Sequence, residues 1–364
     1  MKNNSNKINA AIKKVFYIFV VAAFLLVAMF FVLVFGADID TWYNNKNIVN
    51  KEVDSVYAVA AKKAELQKEM KNFWKPVSIE DEKNPKLKAQ LEYGKELIAH
   101  TSVYLGPKGS VKSISNGMNC QNCHLDAGTK PWGNNYGSVY STYPKMRARS
   151  GKVEDLFKRI NDCFERSLNG VALKQEDKEM QAMIAYINYI GKNVPKGEDA
   201  LASGVFDLKL LDRAASPEKG KPLYDQKCAS CHKVDGLGVM AADGKEYTYP
   251  PLWGKNSYNS GAGLFRISRF AGYIKYNMPL GASYDSSQLT DEESWDIAAY
   301  VESLPRPGKD LSQDWPNISK KPFDHPFGPF ADKFSELQHK YGPFGPIKKA
   351  KKKMKEAEKK AKKV

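Results

Sequence analysis

Val15 to Ala37 is an unbroken run without a charged side chain. At 1.5 Å per residue it makes a helix of about 34 Å, enough to cross a bilayer core of roughly 30 Å. A secretory signal has a shorter apolar core, about 7–15 residues, and a small-x-small cleavage site. This run ends in Val34, Phe35, Gly36 and Ala37, a poor site, so an uncleaved anchor is expected over a cleaved signal. Lys2, Lys7, Lys13 and Lys14 precede it, and Asp38 and Asp40 follow. The positive-inside rule then leaves the N-terminus in the cytoplasm and all that follows residue 37 outside.

Beyond the anchor the pattern becomes mixed and charged, with a helix predicted near Val56–Phe73. Three later segments carry helical spacing. Val153, Leu156, Phe157, Ile160 and Phe164 recur at three- and four-residue steps, and so do Met180, Met183, Ile184, Ile187 and Ile190. Residues 293–304 resemble 179–190, with Tyr300 in the slot of Tyr186, and Thr290 with Glu293 predicts a capping box. Gly191–Ala215 reads as a linker. Residues 305–346 hold eight of the 19 prolines and no helical period, which predicts an extended arm.

Charge enters the picture only when it is located. The net charge is +15, but residues 1–14 and 348–363 hold 12 of those positive charges. A nucleic-acid-binding domain spreads its positive charge over a folded face, so nucleic acid is not an expected partner. The terminal lysine run reads as a solvated or frayed helix, with an electrostatic contact to anionic lipid or an acidic partner as the weaker reading. Five cysteines in 364 residues exclude a disulfide scaffold.

Four of those cysteines carry the chemistry. Cys120-Gln121-Asn122-Cys123-His124 and Cys228-Ala229-Ser230-Cys231-His232 are two well-separated Cys-x-x-Cys-His motifs, each followed by a glycine (Gly128, Gly236) at the same offset from its histidine. This is the attachment pattern of c-type haem: two thioethers to the porphyrin and a proximal histidine on the iron. A redox disulfide or half a zinc site would need only the cysteines, and zinc would need further pairs that are absent. Two covalent haem c groups are therefore expected, on two copies of one small α-helical domain. Haem of this type is attached on the outer face of the bacterial membrane, in keeping with the anchor.

The sixth ligand of each iron sets its potential and reactivity. Met278, in a loop ahead of the segment that carries Tyr300, is the expected ligand beside His232. The interval from Cys163 to Tyr186 equals that from Met278 to Tyr300 to within a single position, so Cys163 holds the same place in the first copy. Thiolate ligation by Cys163 is expected, with Met146 and His100 as competing ligands. On a helix, Arg159 lies one turn before Cys163 and Ser167 one turn after, with Arg147, Arg149 and Arg166 near in sequence. Arginines around a cysteinate suggest an anion site.

The chain resembles the dihaem, tetrathionate-forming thiosulfate dehydrogenases. The likeness rests on Asn116-Gly117-x-Asn119-Cys120-x-x-Cys123-His124, Cys163-Phe164-x-x-Ser167-x-Asn169-Gly170, Pro250-Pro251-Leu252-Trp253-Gly254 and Asn277-Met278-Pro279-Leu280-Gly281. It runs from about Trp74 to His325, and the Cys163 block is its specific element. The resemblance implies a first haem with His124/Cys163 ligation at the active site, with Arg149, Arg159 and Ser167 as catalytic residues. Some members carry a lysine beside the second-haem methionine as an alternative ligand; Asn277 stands there in this chain.

The expected fold is mainly α, two tandem class I cytochrome c-like domains behind a transmembrane helix. The expected segments are 1–37 (stub and anchor), 38–80 (helical extension), 81–205 (haem 1), 206–306 (haem 2), 307–346 (arm) and 347–364 (lysine tail). The expected activity joins two thiosulfates into tetrathionate, with electrons leaving through haem 2 to a small cytochrome c or a terminal oxidase or reductase, and with tetrathionate reduction as the reverse. The expected location is the bacterial inner membrane, single-pass, with the catalytic domains in the periplasm. A non-catalytic dihaem electron carrier is the alternative, and a dihaem peroxidase a third reading.

Overall fold

The apolar run is helical in the structure, a computed structural model that describes residues 2–35 and 58–361, with side chains for 13–30 and 58–361. Helix α1, Lys2–Phe35, contains an 18-residue window, Lys13–Phe30, with mean hydropathy 2.1 and no buried residue. By length and composition it is able to cross a membrane. The predicted end of the span at Ala37, the flanking Asp38 and Asp40, and the first part of the extension lie outside the described residues. Helix α2, residues 58–70, matches the helix predicted there.

The chain divides into two compact units, residues 1–67 and 68–364. The second holds both copies of the repeat. The first copy has α3 (Pro85–Ala99), α4 (Thr101–Leu105), α5 (Leu125–Gly128), α6 (Val139–Thr142), α7 (Leu156–Arg166) and α8 (Lys178–Gly191). The second has α9 (Pro217–Lys227), α10 (Ala229–His232), α11 (Ile267–Asn277) and α12 (Asp291–Ser303), followed by α13 (Glu336–Tyr341) and α14 (Phe344–Ala361). Three two-stranded antiparallel pairs fill the connections: β1 (Gly133–Asn135) with β4 (Gly204–Val205), β2 (Lys145–Arg147) with β3 (Lys152–Glu154), and β5 (Val239–Met240) with β6 (Tyr247–Tyr249).

The duplication is visible in how the helices meet. In each copy the first helix crosses the last through a glycine. A Cβ on Gly94 would collide with the Ala182 carbonyl and Tyr186, and one on Gly220 with the Asp296 carbonyl and Tyr300. Tyr186 and Tyr300, matched in the sequence, thus sit at equivalent crossings. Gly220→Ala is expected to push α9 off α12 and to cost roughly 1–3 kcal/mol, as overpacking a close contact does. Urea unfolding of the holoprotein measures it, and an unchanged midpoint would show that the crossing has room.

The glycine after each haem motif is matched too. Gly128 (φ 82°) lies against the ring of Tyr136, and Gly236 (φ 63°) against that of Trp253. Both positions need positive φ and tolerate no Cβ. The capping box at α12 is present, Glu293 N–H donating to Thr290 Oγ1 at 3.1 Å and Thr290 N–H to Glu293 Oε2 at 2.8 Å.

The predicted linker is not slack: Gly204 and Val205 pair with β1, and Trp74 N–H donates to Leu201 O at 3.0 Å. The proline-rich segment makes backbone bonds to both copies. Gly254 N–H donates to Pro305 O at 2.8 Å, Trp315 N–H to Arg149 O at 2.6 Å, and Ala215 N–H to Tyr341 O at 2.8 Å. It is interrupted by α13, whose six residues are too few to show a period. The lysine helix begins earlier than composition indicates. Phe344 and Ile347 are buried, Phe344 against Trp295 and Phe323 at centroid distances of 5.7 and 5.3 Å.

Candidate active site

Two cavities lie at the two motifs. One, of about 890 Å³, is lined by Cys120, Cys123 and His124 together with Arg159, Cys163 and Ser167. The other, of about 420 Å³, is lined by Cys228, Cys231, His232 and Met278. Each therefore gathers both thiols, the histidine and the sulfur expected opposite it, from elements far apart in the chain.

The histidines are oriented as metal ligands need. His124 Nδ1–H donates to Asn134 O at 2.5 Å, and His232 Nδ1–H to Pro250 O at 2.8 Å, which leaves each Nε2 free to bind iron. Burial lowers His124 to about 4 and lowers His232 as well, so both rings are neutral, the ligating form. Tyr136 stacks on His124 at 4.6 Å and 30°. As free thiols Cys120 and Cys123 are pushed up to about 12 by burial, the opposite of the acidic thiol a redox Cys-x-x-Cys requires. Trp132 also lines the first cavity, and its buried Nε1–H has no protein partner among the described residues. Such a donor suits a group that arrives with acceptor oxygens, as a haem does with its propionates. The residues present fit a c-type haem in each cavity.

Helix α7 supplies the distinctive wall. Asp155 caps it, accepting from Lys158 N–H at 2.8 Å, and Ile160 and Phe164 bury one face. That packing turns Arg159, Cys163 and Ser167, one turn apart, toward the first cavity. The Cys163 sulfur is the largest influence on Arg159 and raises it above its ordinary value, against the effect of burial. Ser167 ends the helix, its N–H donating to Cys163 O at 2.8 Å. The competing ligands are elsewhere. Met146 is 61% exposed, and His100 Nδ1 pairs with Glu246 at 3.0 Å, where Asn119 Nδ2 also donates at 2.7 Å.

The arginines separate. Arg149 is not on the cavity wall. Its Nη1 donates to Gly261 O at 3.1 Å, its Nε lies 3.9 Å from Asp314, and its guanidinium faces the Trp315 ring at 5.7 Å. Burial lowers Arg149 to about 10, still charged at neutral pH. Arg166 forms a two-pronged pair with Asp314 at 2.8 and 2.9 Å. The arm thus clamps both arginines through Asp314 and Trp315, a role nothing in the sequence pattern announces. Conversely, Lys145 and Arg147 do line the cavity, with Tyr143, Asp199 and Arg269.

The two cavities share a wall. Cys123 lines both, and the second is also bounded by Met118, Asn119, Asn122 and Asp126 of the first copy. Tyr273 Oη–H donates to Asn122 O at 2.8 Å, and Asn277 Nδ2 to Trp132 O at 3.1 Å. Asn277, beside Met278, is therefore a buried pin between the copies.

Residues 110–195 match the SoxA/TsdA cytochrome c domain family and residues 217–305 the Cytochrome c family. The chain is 40% identical over 198 residues to a thiosulfate dehydrogenase of Allochromatium vinosum, covering 53% of this chain and 72% of that protein. The chain belongs to the thiosulfate dehydrogenase family. It is 38% identical over 208 residues to a thiosulfate dehydrogenase of Psychrobacter arcticus, covering 56% of this chain and 62% of the relative. Among solved structures it is similar to the thiosulfate dehydrogenase TsdBA of Marichromatium purpuratum in its as-isolated form. That match has a TM-score of 0.61 and 29% identity, and covers 66% of this chain and 51% of the other. Thiosulfate dehydrogenase family membership, the two cytochrome c domains and the two motif cavities together establish two covalently bound haem c groups.

Proposed function

We propose that this protein oxidises two thiosulfates to tetrathionate, and that the first-copy cavity is where it does so. The observation that carries the reading is Cys163, which lines the same cavity as His124 and lies on α7 between Arg159 and Ser167. Two dianions about 5 Å apart in water repel by roughly 3 kcal/mol. A pre-positioned guanidinium offsets that repulsion and aligns the sulfane sulfurs.

The chemistry balances on Cys163 as nucleophile. Its thiolate bonds to the sulfane sulfur of one thiosulfate, releasing two electrons and leaving a Cys163 S-sulfane sulfonate. The second thiosulfate then attacks that sulfane sulfur. Tetrathionate forms and the Cys163 thiolate is regenerated, with no proton gained or lost. Arg159 holds the sulfonate oxygens, and the Ser167 hydroxyl donates to them. Arg149 acts at one remove, fixing the arm and the Gly261 loop beside this wall. The haems supply two one-electron acceptors, and the shared Cys123 wall favours exit by the second one.

His232 and Met278 are the proposed ligands there, and Met278→His is expected to lower that haem's potential, since methionine ligation raises it. A redox titration followed by visible absorption reads the shift; an unchanged potential would remove Met278 from the iron. The reaction is proposed to run in reverse as tetrathionate reduction with a suitable donor. Helix α1 is proposed as a single-pass anchor that leaves the catalytic unit in the periplasm, facing a small cytochrome c or a terminal oxidase or reductase. The test is steady-state assay of the purified holoprotein in both directions. Turnover of neither thiosulfate nor tetrathionate would leave a simple electron carrier.

A further inference from the structure

We infer that Lys145 and Arg147 form a second anion subsite in the first-copy cavity, which takes the second thiosulfate and the far sulfonate of tetrathionate; this rests on the thiosulfate reading above. The starting observation is a mismatch between the cavities. Both receive one c-type haem, yet the first is about 890 Å³ and the second about 420 Å³. Their charges differ as well. The first wall carries Lys145, Arg147, Arg159 and Arg269 with Asp199 and Asp207, whereas the second carries Lys227 with Asp126 and Glu246. Arg269 is already paired with Asp207 at 2.9 Å. The remaining cations on that wall, Arg159, Lys145 and Arg147, outnumber the carboxylates beside them, Asp199 and the Glu154 that Arg147 pairs with.

Strand geometry explains why these two side chains point inward. In β2 successive residues face opposite sides. Lys145 and Arg147 share the cavity side, and Met146 between them is 61% exposed on the other. The β3 strand fixes this register, with Lys145 opposite Glu154 and Met146 opposite Val153.

Lys145 has no carboxylate partner among the described residues, and Arg147 has a single one, the buried Glu154. Lys145 Nζ donates to the neutral Thr142 Oγ1 at 3.3 Å and lies 4.8 Å from the Tyr143 ring centroid. Arg147 Nε lies 3.7 Å from Glu154 Oε2, a loose ion pair that leaves the other guanidinium nitrogens for an anion. Burial first, and then the charges of Arg147 and Arg159, lower Lys145, with Asp199 opposing. Cations crowded this way are relieved by an oxyanion.

The reaction demands such a place. Two thiosulfates bring four negative charges, and tetrathionate leaves with two. Arg159 beside Cys163 serves the thiosulfate whose sulfur bonds to that residue. The incoming one needs donors of its own, and, with Arg269 paired to Asp207, Lys145 and Arg147 are the remaining cations of this cavity that α7 does not supply. A subsite built on charge holds the reactant pair more firmly than the product, which assists release.

The test uses the purified holoprotein and its Lys145→Gln, Arg147→Gln and double variants, with ferricyanide as acceptor at fixed ionic strength. Losing a charged hydrogen bond is expected to raise half-saturating thiosulfate by roughly 10-fold per residue, with kcat changed far less. Lys145→Arg and Arg147→Lys, which keep the charge and the hairpin, should restore most of the affinity. Calorimetric titration with inorganic sulfate gives a readout independent of turnover: the double variant should bind it roughly 10-fold or more weakly than the native protein. Wild-type half-saturation and sulfate affinity in the double variant would overturn the subsite. An altered haem potential with unchanged anion affinity would overturn it too, by assigning the cations to a propionate. If the native protein binds sulfate through these residues but turns over no thiosulfate, the subsite stands and the thiosulfate reading falls.

Discussion

Cys163→Ala is expected to keep both haems covalently bound and to lower thiosulfate oxidation by roughly 10³-fold, the scale on which removing a positioned nucleophile or its electrostatic support acts. Haem attachment belongs to Cys120, Cys123, Cys228 and Cys231, so the substitution leaves it intact. The fold should also survive. Cys163 is only partly buried, and the packed face of α7 is carried by Leu156, Ile160 and Phe164. Haem content by pyridine haemochrome and initial rates with thiosulfate separate the two effects. A variant with full haem content and native turnover would remove Cys163 from the reaction and place the chemistry on other residues of the cavity.

The contrast with Met278→His is informative because the two sulfurs occupy matched places. Met278 ends α11, its N–H donating to Ile274 O at 2.9 Å, and Cys163 lies within α7. One copy places a thioether before the last helix and the other a thiol with a guanidinium beside it. On the proposed reading, the same scaffold serves as a wire in one half and carries a reactive sulfur in the other.

Much of this was legible from local pattern. Two Cys-x-x-Cys-His motifs, the Tyr186 and Tyr300 slots and the Thr290/Glu293 box lie in short stretches whose spacing alone carries meaning, and the structure places each as read. Cys163 emerged only through the repeat, since a lone cysteine is ordinarily just a small apolar residue. The long-range partners were not legible. Asp314 and Trp315 reach Arg149 and Arg166 across about half the chain's length, and composition showed only a proline-rich arm. Lys145 was invisible because a three-residue strand is too short to show alternation. Arg147 was noticed only as a neighbour in sequence. Asn277 looked like a missing lysine and proves to be a contact between the copies. Distance along the chain sets the divide. Helical faces and motif spacings are local, whereas cavity walls are assembled from elements that sequence does not rank by proximity.

Arg159→Ala is expected to lower kcat/KM for thiosulfate by roughly 10²–10³-fold, the cost of removing one pre-positioned donor from a developing anion. The Arg159 charge answers first to the sulfur beside it. Asp162 and Glu154 act on it less than the Cys163 sulfur does, and Asp162 is engaged by Lys158 at 2.6 Å. Arg159 is therefore not merely half of a structural ion pair. Arg159→Lys keeps the charge but loses the planar fork, so it should recover part of the loss and no more. Arg149→Ala provides the control. It breaks contacts to Gly261, Asp314 and Trp315, and so should lower the unfolding midpoint together with activity. Arg159→Ala should leave the midpoint nearly native while activity falls. If the two variants lose stability and activity in the same proportion, Arg159 is a scaffold residue like Arg149, and the anion must be held by Lys145 and Arg147 alone.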